Sequence, residues 1–461
     1  MQRHKIKIIF LSITLLGLFG RAESSRTVYP IAGRKKFLSF GFIFFIFTIF
    51  FSLAPVSPAY GADWYVSKSG NNSTGSNWEN AWNELNQINW NSVQAGDNVH
   101  IDGGAVNMVY STVLDVNKAG VASQRITIQR STEPGRDGAV LITDNIIVRQ
   151  PYVTIDGKDA SKFTVNLTDE TGYNINVRSA ADFFELKNIK YEAERTGSWG
   201  TGLLINSNNA LVSHSDFKQT AYEDQIKYGG MGTLTVEFSY FHDLLDVPWI
   251  TGVHNDVLQI RPPSGPFNLV FRNNRVVNID GQGIMSTTAD NVNNFGNIDV
   301  LYNVFSDIRS GVYKTHPGTA LRPERVYNNV FHDTYFGSFF SPDVKNNIFT
   351  GRHPTNNDNP SPVYNVYSDP TPPDHSLWAP GVGYFYAGNG NIQVDPQFFD
   401  SAAGDFRLNG GSPAINAGVD VGLAADILGN PIIGVPDIGV YEYVFGGDTT
   451  PPAVPTGLSV L

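Results

Sequence analysis

The chain is 461 residues long and contains no cysteine, which excludes disulfide frameworks and cysteine-based catalysis. Its formal net charge is -11 with only 16% charged residues, so the surface as a whole is unsuited to nucleic acid, although a local basic patch could still bind an acidic ligand. Glycine (45) and phenylalanine (30) are abundant, which is typical of a β-rich, turn-rich protein. The length allows one large domain with appendages.

Residues 1–62 have the organisation of a targeting segment. Residues 8–20 form an apolar run, and three basic residues at 34–36 precede a second apolar run at 37–53 that leads into small residues at 59–62. This order predicts a secretory signal that is cleaved at its end, and therefore a secreted, cell-surface or periplasmic protein. The alternative is an uncleaved anchor, which would be the only membrane contact, since the second run is almost long enough to span a bilayer.

A repeated motif begins near residue 182, and it is the strongest indication of the fold in the sequence. Its frame reads V-x-x-N-N-x-F and places Asn274, Asn303 and Asn329 at equivalent positions, with steps of 29 and 26 residues. Such a period fits one coil of a β-helix. Because one coil cannot bury its apolar face alone, inward Val, Ile and Phe must stack on neighbouring coils. Asn suits the left-handed bend between strands, and stacked Asn side chains can hydrogen-bond from coil to coil.

This coil pattern resembles the pectate-lyase-like superfamily of right-handed parallel β-helix proteins, which includes polysaccharide lyases, polygalacturonase-type hydrolases, epimerases and phage tailspikes. The resemblance covers residues 63–350 and implies an all-β solenoid. A short helix within residues 82–93 is expected to form its N-terminal cap. The fold implies little about chemistry, and the Gly-His-Gly signature of polygalacturonases and the Trp-Ile-Asp-His signature of the main pectate lyase family are not in the sequence.

Beyond the repeat the composition changes. Residues 351–446 begin with a stretch rich in Pro, Asn and Asp and continue with segments that resemble the closing region of secreted bacterial β-helix proteins. We therefore expect loop-rich last coils and a C-terminal cap. Residues 447–461 are rich in Pro and Thr and resemble the start of a fibronectin type III module, which predicts that the chain is a fragment of a longer protein or stops early.

Two neighbouring coils carry polar residues that the repeat does not need. Alternation puts Ile226 and Leu258 inside and in register, so that Lys227 stacks on Gln259. The outward row that results is predicted to line an open groove for an acidic glycan. Its predicted members are Gln225, Lys227, Gln259 and Arg261, continued by Met285 and Tyr313, with His316 just beyond; of these, Gln225, Gln259, Tyr313 and His316 are predicted to bind substrate.

The groove predicts cleavage of a uronic-acid polymer by β-elimination. This reaction needs a base for the C5 proton, a cation for the enolate-like anion and an acid for the leaving oxygen. Lys227 is the predicted base, since a neighbouring Arg261 would lower its pKa by like-charge repulsion. Arg261 would bind the uronate carboxylate, and His254 is the alternative base or acid. In many lyases that the chain resembles, Lys or Arg is the base.

Acidic residues in the same coils have two interpretations. Asp224, Asp256 and Glu223 are candidate Ca²⁺ ligands, as the resemblance implies for lyases that hold the substrate carboxylate with this ion. The alternative is that Asp224 and Asp256 form a turn ladder that caps backbone amides. His242 and His332 occupy one position of the repeat and are predicted to be ladder residues too.

The sequence favours a secreted polysaccharide lyase that acts as a monomer on an acidic polysaccharide, with no cofactor other than Ca²⁺. Two further functions stay open: a non-catalytic cell-surface adhesion or glycan-binding protein, and a glycoside hydrolase or epimerase on the same fold. A nucleotide-binding loop, a zinc site and a serine nucleophile motif are all missing from the sequence.

Overall fold

Each coil of the repeat contributes one strand to each of three long parallel sheets, which we name sheets A, B and C in the order in which the chain visits them. The chain therefore has the predicted right-handed parallel β-helix fold of the pectate-lyase-like type. The structure is a computed structural model, and it describes residues 61–167, 172–194, 200–220, 224–245, 255–261, 265–286, 295–308, 312–315, 324–334, 338–339, 342–350, 365–366, 376–378 and 388–445.

The strands, numbered in chain order, divide among these three sheets. Sheet A contains β1 (Asp63–Val66), β2 (Asn98–Ile101), β5 (Ile126–Arg130), β8 (Val153–Asp156), β11 (Glu185–Lys187), β14 (Ala210–Ser213), β17 (Gly232–Glu237), β20 (Phe267–Arg272), β23 (Phe295–Leu301), β26 (Glu324–Tyr327) and β29 (Pro342–Lys345). Sheet B contains β3 (Asn107–Tyr110), β6 (Ala139–Ile142), β9 (Phe163–Asn166), β12 (Lys190–Glu194), β15 (Asp216–Thr220), β18 (Tyr240–Leu245), β21 (Arg275–Ile279), β24 (Val304–Ile308), β27 (Val330–Thr334), β30 (Ile348–Thr350), β32 (Leu377–Trp378) and β33 (Ile392–Gln393). Sheet C contains β4 (Leu114–Val116), β7 (Ile146–Val148), β10 (Gly172–Val177), β13 (Gly200–Ile205), β16 (Ile226–Tyr228), β19 (Asp256–Ile260), β22 (Gln282–Ser286), β25 (Tyr313–Thr315), β28 (Ser338–Phe339) and β31 (Asn365–Val366). A separate antiparallel pair is formed by β34 (Phe398–Asp400) and β35 (Asp405–Leu408), and short 3-10 helices span Leu85–Gln87, Ala160–Lys162 and Ser401–Ala403.

Aromatic rings stack along the inner face of sheet B. Phe305 lies between Phe271 and Phe331, at centroid distances of 6.1 and 5.2 Å. In the sheet B register the residue opposite Phe305 is Val276, which has no ring, and Phe271 from sheet A fills the gap that this valine leaves. The predicted aromatic ladder is therefore confirmed, with one position supplied by another sheet.

The Asn ladder lies at the bend between sheets A and B. Asn274, Asn303 and Asn329 are fully buried, and each side-chain amide donates to the Asn Oδ1 of the next coil at 2.9–3.1 Å. The residue before each ladder Asn carries the left-handed backbone, with φ of 56° at Asn273 and 53° at Tyr302. The left-handed backbone and the hydrogen-bonded Asn ladder, both predicted for the same asparagine, thus occur at adjacent residues.

The N-terminal end of the core is covered by the segment that follows β1. Trp82 bridges Val66 at the edge of sheet A and stacks on Trp64 at 5.6 Å. Leu85 and Val93 of this segment are fully buried in the main core. The expected helix is only the three-residue 3-10 turn at Leu85–Gln87. Among the described residues, no helix has the length and apolar character that crossing a bilayer requires.

The C-terminal segment packs against the outer face of sheet B. In the last coils this face carries an apolar strip, because Val304, Val330, Ile348 and Leu377 follow one another in register. These side chains form a second core with C-terminal residues Phe406, Leu408, Ala414, Ile438, Val440 and Tyr441. We call residues 405–443 the flank segment.

Hydrogen bonds tie the flank segment to the coil bends. The Asn346 amide donates to Val419 O at 2.8 Å and accepts from Val419 N at 2.9 Å. The Asn328 amide donates to Gly439 O at 3.1 Å. The described part of the segment thus lies along the side of the solenoid.

Candidate functional site

The two coils singled out from the sequence are neighbours in sheet C, with the predicted register. Ile226 of β16 pairs with Leu258 of β19, and Lys227 pairs with Gln259. Both aliphatic residues are fully buried in the main core, so Lys227 and Gln259 start outward. The predicted register of the two coils is confirmed.

A charged cluster forms where these strands begin. Lys227 Nζ lies 3.0 Å from Asp224 Oδ2, and the two side chains are only 7% and 1% exposed. The Asp224 Oδ1 atom accepts the backbone N–H of Asp256 at 3.0 Å, and the Asp256 Oδ2 atom accepts the Gln259 amide at 3.3 Å. Asp224 therefore acts as the amide cap that the ladder interpretation predicted and is also the ion-pair partner of Lys227.

The predicted open groove is wrong for the described residues of this row. The outward residues of five successive sheet C strands are each less than a tenth exposed, and Lys227 is 5% exposed. Stacked side chains about 4.8 Å apart shield one another, and Lys227 turns back along its own strand towards Asp224. Lys227 thus forms an ion pair with a buried carboxylate, and the lowering of its pKa by Arg261 stays a prediction.

Gln225 ties two sheets together in this structure, and its predicted contact with substrate stays a prediction. Its side chain is fully buried. The Nε2 atom donates to Phe217 O of sheet B at 2.9 Å and approaches His242 O at 3.4 Å. The amide therefore ties sheet C to two coils of sheet B.

Tyr313 does not continue the outward row, contrary to prediction. Met285 pairs with Lys314, whereas Tyr313 pairs with the inward residue Ile284. Matching the two Gly-x-x triplets that start at Gly283 and at residue 311 puts these coils one residue out of register. Since facing alternates at every residue, a slip of one exchanges the two faces.

Arg261 lies two residues beyond Gln259, directly after β19. Its backbone N–H donates to Tyr228 O at 2.8 Å, which continues the sheet C ladder. The side chain is half-buried, and within the described part of the chain it makes no hydrogen bond or ion pair. A guanidinium with no counter-ion beside a buried Lys–Asp pair is able to receive an external carboxylate.

Three further predicted residues, His254, His316 and Glu223, lie outside the described residues. The two repeat histidines do occupy one row of sheet B, as predicted. Burial lowers the pKa of His242, but hydrogen bonds and charges from Asp216 and Asp243 outweigh it and raise the pKa above 6.5. Burial lowers the pKa of His332. Equivalent ladder positions thus give opposite shifts.

The described residues of the cluster fit a Ca²⁺ site poorly. The ion takes six to eight oxygen ligands. Both Asp224 oxygens already receive N–H groups, from Lys227 and from Asp256. Across the described ranges, no group of three or more acidic or histidine side chains has metal-binding geometry.

Comparison with known proteins adds support for the fold. No family model matches the sequence, and no curated protein matches it. Among solved structures, pectate lyase Pel9A aligns with 83% of this chain and 96% of its own at 12% identity and a TM-score of 0.51. The PL6 family alginate lyase AlyGC aligns with 76% of this chain and 56% of its own, at 10% identity and a TM-score of 0.44. The GH136 lacto-N-biosidase from Eubacterium ramulus covers 67% of each chain at 12% identity and a TM-score of 0.36. The likeness to Pel9A supports the fold alone, so chemistry must be argued from this chain's residues.

Proposed function

We propose that the chain is a secreted polysaccharide lyase that cleaves a uronic-acid polymer by β-elimination, with Lys227 as the base. The observation that carries the proposal is the grouping of Lys227, its buried partner Asp224 and Arg261, which has no ion pair with a described residue, at two adjacent strands of sheet C. The fold that carries this cluster is shared with a pectate lyase.

The residues divide the reaction between them. Arg261 binds the uronate carboxylate and neutralises the charge that develops there as the C5–H bond breaks. The proton that Lys227 carries in its ion pair with Asp224 must leave first; the neutral amine then takes the C5 proton, the electron pair forms the C4–C5 double bond, and the C4–O bond to the leaving sugar breaks. The ammonium that forms lies 3.0 Å from Asp224, which stabilises it. The leaving oxygen takes a proton from water or from an acid such as the predicted His254.

Burial sets a condition on this mechanism. With its side chain 7% exposed, Lys227 contacts a sugar only if the outer face of sheet C opens when substrate binds. Calcium is assigned no step here, because both oxygens of Asp224 are engaged by N–H donors. We therefore expect turnover to persist in the presence of a chelator.

The test is to incubate the protein with pectate, alginate and glycosaminoglycans and to follow the ultraviolet absorbance of the unsaturated product. Each polymer is assayed with Ca²⁺ and with chelator. Lys227→Arg keeps the ion pair but removes a neutral amine, so it should abolish turnover. Lys187→Arg on sheet A, where Lys187 also pairs with a carboxylate at 2.7 Å, is the matched control and should leave the rate unchanged.

Three results decide the matter. Product from one polymer that is lost in Lys227→Arg and retained in Lys187→Arg supports the proposal. Absence of product from every polymer, in both metal conditions, rejects lyase activity. Product formation that both Lys227→Arg and Lys227→Met leave intact rejects Lys227 as the base.

A non-catalytic glycan-binding role is the second candidate, and the burial of Lys227 is the observation that favours it. Binding on a glycan array without turnover, unchanged by Lys227→Ala, would establish this role. The hydrolase interpretation has less support, because Asp224 and Asp256 are 1% and 0% exposed and a glycosidase needs two carboxyl groups that reach the scissile bond.

A further inference from the structure

Four residues occupy equivalent positions at the ends of four successive sheet C strands: Arg178, Asn206, Gly229 and Arg261. Each directly follows the last residue of its strand, and those last residues pair from coil to coil. The backbone N–H of each donates to the preceding coil at 2.8–2.9 Å. Because neighbouring strands are about 4.8 Å apart, the two arginines are about 14 Å apart along the solenoid axis. We call this set the arginine strip.

The positive charge of the strip is not neutralised within the described part of the chain. Arg178 is exposed, Arg261 is half-buried, and neither side chain has a hydrogen bond or ion pair with a described residue. The preceding coil differs, because Arg149 binds Asp115 through two hydrogen bonds of 2.7 and 3.0 Å. Arg178 is therefore the last arginine in this direction whose charge is not paired with a described carboxylate.

Between the two arginines, one position carries the Asn206 side chain and the other is Gly229. A Cβ atom at Gly229 would lie 3.0 Å from Asn206 Oδ1, so the glycine provides the space that this amide occupies. Asn206 is half-exposed and its side chain has no hydrogen bond to a described residue. None of the four positions carries an acidic residue, which keeps the strip basic although the whole chain has a net charge of -11.

We propose that an acidic polysaccharide lies along this strip, with one carboxylate at Arg261 and a second, several sugars away, at Arg178. The inference rests on the proposed function, which assigns the uronate of the cleaved bond to Arg261. A guanidinium binds a carboxylate through two parallel N–H···O bonds, and the Asn206 amide suits the hydroxyl groups of the sugars between. Arg178 is then a binding residue for the part of the polymer that lies over the earlier coils.

Affinity electrophoresis in gels that contain polygalacturonate, alginate or neutral dextran measures this binding. We expect retardation by one of the acidic polymers and none by dextran. Arg178→Gln should weaken binding about tenfold, the effect of losing one charge-assisted contact. Asn206→Asp, which is nearly isosteric and adds a negative charge to the strip, should weaken binding in the same direction.

The matched control removes the neighbouring pair without changing net charge. The double variant Asp115→Asn, Arg149→Gln should alter affinity by less than about twofold, because an exposed ion pair contributes little. Equal affinity of Arg178→Gln and this double variant, in a gel that retards the wild type, overturns the strip. So does the absence of retardation in both acidic gels.

A parallel assay for unsaturated product separates this inference from the proposed function. Binding that depends on Arg178 without any product supports the strip while rejecting the lyase activity. Product formation, together with polymer binding that Arg178→Gln does not weaken, rejects the arginine strip as a binding site and is consistent with lyase activity.

Discussion

Replacing Asn303 by alanine should remove a large share of the local stability of the solenoid. The fully buried Asn303 amide donates to Phe271 O at 2.9 Å and to Asn329 Oδ1 at 3.0 Å. Its Oδ1 atom accepts from Asn274 N at 2.9 Å and from Asn274 Nδ2 at 3.1 Å. At about 1 kcal/mol for each hydrogen bond, the loss is about 4 kcal/mol, since alanine also leaves a buried backbone N–H without an acceptor.

Urea unfolding measures this loss, and hydrogen exchange at the Asn274 amide localises it, because a solenoid can open coil by coil. Asn409→Ala is the control, as this exposed side chain makes a single hydrogen bond of 3.0 Å and should cost no more than about 1 kcal/mol. Equal costs for the two variants would refute the reasoning that the ladder stabilises the coils.

Three further predictions concern single groups. Lys227→Met should lower the unfolding free energy by about 3–5 kcal/mol by calorimetry, since Asp224 is left buried and unpaired; adding Asp224→Asn, which keeps an acceptor for the amide it caps, should recover most of this. Phe305→Ala should cost about 3–5 kcal/mol in urea unfolding, because it empties a site between two stacked rings. Burial raises the pKa of Glu442 from 4.5 to about 7, so attachment of the flank segment should weaken by about 1–2 kcal/mol as pH rises between these values, after allowance for partial exposure. The rate of proteolysis of the flank segment at several pH values measures this weakening. Glu442→Gln should remove the pH dependence of that rate.

The sequence predicted the coils and the register of β16 with β19, because each coil repeats a pattern that only one stacking satisfies. Alternation fixed Ile226 and Leu258 as inward residues, and the register of Lys227 with Gln259 followed. Aligning the Gly-x-x triplets of two coils predicted that Tyr313 pairs with Met285, whereas Tyr313 pairs with Ile284, one residue earlier.

The burial of the site was beyond sequence reasoning. Which outward residues lose contact with water depends on how side chains of different coils pack, and one coil's sequence does not contain that information. The Lys227–Asp224 ion pair could not be predicted from spacing, because residues three apart in a strand point to opposite faces. The apolar strip on sheet B did leave a signal, since Val304-Phe305 and Val330-Phe331 put apolar residues on both faces of a strand.

Because the flank segment is synthesised last, the apolar strip of sheet B stays uncovered while the rest of the chain is made. Val304, Val330 and Ile348 are synthesised well before their partners Ile438 and Val440. Until the last residues of the flank segment emerge, the growing chain presents a row of unpaired apolar side chains on an otherwise finished sheet. A ribosome or secretion channel that stalls before residue 405 would therefore release a solenoid that is prone to pair with a second copy along that row.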